Sequence, residues 1–110
     1  MESALALNAL AREEAKRADP VEMRCRQRDQ AQLLLWAGRP HETLRVIADY
    51  SHIAEEPRSA VRDMLRATDA LLAMNDHDAA HTQLQSIYGT LAPYNFVALR
   101  AEADALAARF

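Results

Sequence analysis

The sequence predicts an all-α protein of about six helices, and three observations carry that reading. Of the 110 residues, 50% are hydrophobic but only 5% are aromatic, so the apolar content is mainly Ala and Leu, which favour helices over strands. The 2 Gly and 4 Pro are too few to turn hairpins and fall at intervals that separate helices. The third observation is a helix–turn–helix pattern, running from Ala31 through Gly38 and Pro40 to Leu44, that is echoed from Thr68 through Asn75 to His81.

The first helix is expected over 3–18, with Leu7, Leu10, Ala11 and Ala15 on its apolar stripe and Glu13 and Arg17 forming a surface pair. Asp19-Pro20-Val21-Glu22 reads as a start signal, with Asp19 as N-cap, Pro20 at the first helical position and Glu22 in a capping box. The second helix then runs to about Ala37, where Gly38 supplies a left-handed residue and Pro40 stops simple continuation. Its polar first half gives way to Leu33, Leu34, Leu35 and Trp36, which places its end deeper than its start. A third helix, 40–50, carries Thr43, Val46, Ile47 and Tyr50 on one face.

Ser51 to Glu56 is the natural irregular connection, and Pro57 opens a fourth helix reaching Met74. Val61, Met64, Leu65, Thr68, Leu71 and Leu72 keep the helical rhythm, while Asp63 and its charged neighbours fall outside it. Asn75 both ends that helix and caps a fifth, whose stripe is Ala80, Leu84, Ile87 and Tyr88. Gly89 and Pro93 mark the turn into a final helix, 93–110, with Phe96, Leu99, Ala103, Leu106 and Phe110 on one side. The expected organisation is one helical-repeat domain over 1–110: a flanking helix, repeat-like pairs 20–50 and 57–88, and the final helix.

Several classes of function are disfavoured. A net charge of −3 gives no overall attraction to phosphate backbones. A regulator contacting nucleic acid stays as an alternative on Arg24, Arg26, Arg28, Arg58, Arg62 and Arg66, although Glu22, Asp29 and Asp63 interrupt that field. No apolar run approaches the roughly 18 residues of a membrane span, and with no secretory leader pattern a cytoplasmic setting is expected. Cys25 reads as a half-buried structural thiol, since nothing around His41 or His52 builds a nucleophile–base pair with it. His77 and His81 stand four apart on a helix but lack a firm third ligand. Neither a cofactor, a metal nor an enzymatic reaction is expected.

Pairing Gly38 with Asn75, an offset of 37 residues, also pairs Ala31 with Thr68, Leu34 with Leu71, Leu35 with Leu72, Ile47 with Leu84 and Tyr50 with Ile87. In this register the chain resembles tetratricopeptide repeats. Ala31, Leu34, Gly38, Thr43 and Ile47 fall where that motif takes small, large, Gly, small and large residues, and Leu71, Asn75, Ala80 and Leu84 follow in the second unit. The offset exceeds the usual spacing of about 34, and several aromatic signature positions are missing.

The resemblance implies antiparallel helix hairpins stacked as a short array, with a groove lined by Arg28, Gln32, Leu35 and Trp36 from the first pair and Arg62, Leu65, Asp69 and Leu72 from the second. Such a groove would hold an amphipathic helix or extended segment of a partner protein, apolar side chains taking up its face and charged ones its orientation. Small repeat proteins of this size include chaperones of bacterial type III secretion that hold needle subunits before export, and the chain is similar to them in size and repeat type. A self-associating helical bundle is the remaining alternative, so homo- and hetero-oligomers are both open.

Overall fold

The computed structural model describes the backbone of residues 2–18, 20–50 and 56–110, and the side chains of 3–11, 23–50 and 56–110. Six α-helices and no strand occur among these residues: α1 Glu2–Ala18, α2 Pro20–Trp36, α3 Pro40–Tyr50, α4 Pro57–Ala73, α5 His77–Leu91 and α6 Val97–Ala107. The expected Asp19 cap, the Glu22 capping box, the Glu13–Arg17 pair and the connection over 51–55 lie outside the described residues, as does the side chain of Ala15. Helix contacts gather the chain into two compact units, Met1–His52 and Ile53–Phe110.

In the first unit α2 packs against both α1 and α3, and among the described residues α1 and α3 make no close approach. Asn8 on α1 meets Arg26 and Gln30 one turn apart on α2. The α2–α3 reversal is built at Gly38, which sits at φ 76°. Around it the Arg39 N–H bonds the Leu34 carbonyl at 2.9 Å and the Gly38 N–H bonds the Leu35 carbonyl at 3.1 Å, the paired bonds of a Schellman closure. Thr43, Ile47 and Tyr50 are buried on α3, with Ala31 and Leu34 buried on α2.

The second unit repeats that turn with Asn75 at φ 59°. The Asp76 N–H bonds the Leu71 carbonyl at 2.9 Å and the Asn75 N–H bonds the Leu72 carbonyl at 3.0 Å, the same closure shifted by the sequence offset. Asn tolerates the left-handed region through local hydrogen bonding. The cap of α5 is Asp76 rather than Asn75, because Asn75 is committed to the turn; Asp76 Oδ1 accepts from the Ala79 N–H at 3.3 Å.

α6 closes this unit by packing on both α4 and α5. It runs parallel to α4, as contacts from Arg58 to Phe96 and from Asp69 to Arg109 require. Val61, Leu65, Leu72, Ala80, Leu84, Ile87, Leu91, Leu99, Ala103 and Leu106 form the core.

Three boundaries differ from the sequence reading. α5 continues through Gly89 to Leu91, since fully burying Leu91 gives about 1.5–3 kcal/mol, which outweighs the ~1 kcal/mol cost of a helical glycine. α6 starts at Val97 instead of Pro93, with Phe96 as its N-cap. Phe110 falls beyond the helix end and is 46% exposed. Asp63 is buried as well, one turn from Arg66, whose guanidinium approaches it to 3.4 Å.

Candidate functional site

α1 turns an unexpected face to α2. Leu5 and Asn8 are 5% and 9% exposed, whereas Leu7 and Leu10, expected on the buried stripe, are 69% and 65% exposed. The cause is polar. Asn8 Nδ2 donates to the Arg26 carbonyl at 3.0 Å and to Gln30 Oε1 at 3.0 Å, so its carboxamide exchanges water for acceptors on α2 at little cost. Apolar counting along α1 favours the leucine stripe, and those two acceptors lie on another helix.

Rotating Leu7 outward opens a recess of about 470 Å³ between α1 and α2. Ala4, Leu7 and Ala11 line it from α1, and Leu33 and Trp36 from α2. Its polar edge is Asn8, Arg26, Asp29 and Gln32. Arg26 and Asp29 pair at 3.9 Å, a distance at which partly exposed charges contribute little to stability. Trp36 is 67% exposed at the very end of α2, although Ala31 and Leu34 just before it are buried, as the apolar second half of the helix leads one to expect. The chain turns sharply after Ala37 into Gly38, leaving the indole at a helix end with no following turn to cover it.

Of the residues expected on a groove, Gln32 and Trp36 are brought together here. Leu35, half-buried, and Arg28 do not line the recess; the Arg28 guanidinium lies 5.4 Å from the centre of the Tyr50 ring on α3. In the second unit Arg62 is exposed, and Asp69 Oδ1 meets Arg109 Nη1 at 2.7 Å. Leu65 and Leu72, expected on a groove wall, belong to the α4–α6 core, where α6 helps to enclose them. Sequence reasoning missed Leu7 and Leu10 as surface residues; the signal was Asn8, a polar residue in register with Leu5.

Two further clusters lie in the second unit. Tyr94 and Phe96 stack with centroids 4.8 Å apart, and the Arg58 guanidinium sits 4.7 Å from the Phe96 centre, fastening the α5–α6 connection to the start of α4. His77 and His81 approach the Phe110 ring edge-on at 6.2 and 5.8 Å, and His81 Nε2 is 3.2 Å from Gln85 Nε2. Among the described residues no three His, Cys, Asp or Glu side chains gather as a metal site. Cys25 is exposed rather than half-buried. None of the helices, over the described residues, is long and apolar enough to cross a membrane. Comparison with protein-family models, curated proteins and solved structures finds no match.

Proposed function

We propose that this protein is a protein-binding module that takes the apolar face of a helix into the α1–α2 recess. The observation that carries the reading is the recess itself: Leu7 and Trp36 stand exposed at an apolar trough whose edge is neutral and polar. An amphipathic helix with apolar residues three and four apart would set them between Leu7, Leu33 and Trp36, with Gln32 and Asn8 beside its polar flank. Aromatic anchors of this kind dominate binding energy at protein interfaces. The mechanism is shielding and positioning, without a chemical step.

Support for a tetratricopeptide-like frame comes from the two Schellman turns, at Gly38 and Asn75, which hold the same register as the buried pairs Ile47/Leu84 and Tyr50/Ile87. Within that reading the narrower setting is a cytoplasmic chaperone of the type III secretion kind, which keeps an aggregation-prone helix covered before export.

Selection of random peptides on the full chain tests the proposal. The enriched sequences are expected to share apolar residues at helical spacing and to lose binding at least tenfold to the Leu7→Glu chain, which keeps its helical circular dichroism. Failure to enrich, or enrichment indifferent to Leu7→Glu, would overturn it.

A further inference from the structure

The recess and the side chains able to fill it lie side by side on one surface. Leu7 stands exposed at the trough it lines with Ala4, Ala11, Leu33 and Trp36, and Leu10, also exposed, follows three residues along α1 on a neighbouring part of the same face. A two-fold contact places the same patch of both subunits against itself, so each must offer a projection and a hollow together. From this arrangement we infer that the α1–α2 face pairs with the α1–α2 face of a second copy of this chain, the leucines of each entering the other's recess. The inference rests on the reading of this face as a helix-binding surface and names its occupant.

Charge and area agree with that occupant. A surface with net charge repels its own copy in a two-fold contact, but the charged residues lining this recess are one cation and one anion, Arg26 and Asp29. Leu7, Leu10 and Trp36 together expose on the order of 400 Å², the size at which an apolar patch marks an interaction surface. Counted on both copies these side chains supply on the order of 800 Å², less than the roughly 1,000 Å² of a stable interface, so the pairing is weak and concentration-dependent. α1 is also a suitable ligand in its own right, since it exposes two leucines and buries one among its described residues.

Sedimentation equilibrium of the full chain over a hundredfold range of concentration, with Trp36 emission followed in parallel, tests the inference. The expected result is a rise from one chain to two, an emission shift to shorter wavelength over the same range, and at least tenfold weaker pairing for Leu7→Glu and Leu10→Glu. Val97→Glu, on exposed α6 surface, should leave the pairing unchanged. A one-chain mass throughout, a pair with Trp36 still exposed, or a pair indifferent to both leucine variants would each overturn self-pairing. If a one-chain protein still shields Trp36 on adding a selected peptide, self-pairing fails and the helix-binding reading stands. If neither a second copy nor a peptide shields it, both fall.

Discussion

The 2 glycines of this chain make a matched experiment. A Cβ built on either Gly38 or Gly89 meets nothing within 4 Å, so replacement by Ala introduces no steric contact at either place and the backbone alone decides the outcome. Gly38 sits at φ 76°, where a Cβ costs about 1–2 kcal/mol. Gly89 lies inside α5, where Ala is better than Gly by roughly 0.5–1 kcal/mol. Gly38→Ala should therefore lower stability and Gly89→Ala raise it.

For a small domain each kcal/mol moves the melting temperature by about 4–8 °C, so the two variants should separate by about 6–24 °C. Thermal unfolding followed by far-UV circular dichroism reads the difference. If both variants gain stability, α2 does not close in a left-handed residue. If both lose it, α5 ends at Gly89, as the sequence pattern alone suggested, and Leu91 is misplaced.

Other outcomes follow from single contacts. Leu84, buried in the α4–α6 core, should cost about 2–5 kcal/mol on Leu84→Ala, whereas Val97→Ala on the exposed surface of α6 should change unfolding by no more than about 0.5 kcal/mol. Asn8→Ala removes two hydrogen bonds and should cost about 1–3 kcal/mol, read most directly as faster amide exchange along α1. The Tyr88 hydroxyl donates to Asp104 Oδ1 at 2.5 Å, and this bond, with desolvation and the carboxylate charge, raises the phenol pKa above its ordinary 10.0. A raised folded-state value means stability fully present below pH 10 and lost as pH climbs through that value. Ultraviolet titration should show Tyr88 ionising late, and Tyr88→Phe should remove that late component together with its part of the alkaline destabilisation.

Local chemistry made much of the fold legible. Gly38 and Asn75 announce their turns because few residue types accept positive φ, and the spacing of Ala80, Leu84 and Ile87 gives the buried line of α5 directly. What stayed hidden depends on partners distant in sequence. Leu91 extends that line past Gly89 because α6 is there to cover it. Asp63 is buried with Arg66 beside it, a pairing that a charged position does not advertise.

The site divides in the same way. Trp36 and Gln32 stand four apart and share a face of α2, but the repeat register set them on a groove with the second helix pair rather than in a recess against α1, and Leu65 and Leu72 look identical in sequence whether they face a groove or a third helix. Leu7 and Leu10 face outward because a carboxamide at position 8 finds acceptors on α2; apolar periodicity along α1 points the other way, and the one local signal is the polar Asn8 in register with Leu5.

Trp36 is the only tryptophan of the chain and stands at the recess, so its emission reports directly on whether that face is covered. The decisive measurement is its wavelength and its quenching by iodide as a selected amphipathic peptide is added, or as the protein itself is concentrated. A shift to shorter wavelength with reduced quenching, absent in Leu7→Glu, is the predicted result; an indole that stays equally open to iodide at saturating peptide and at high protein concentration would contradict the account.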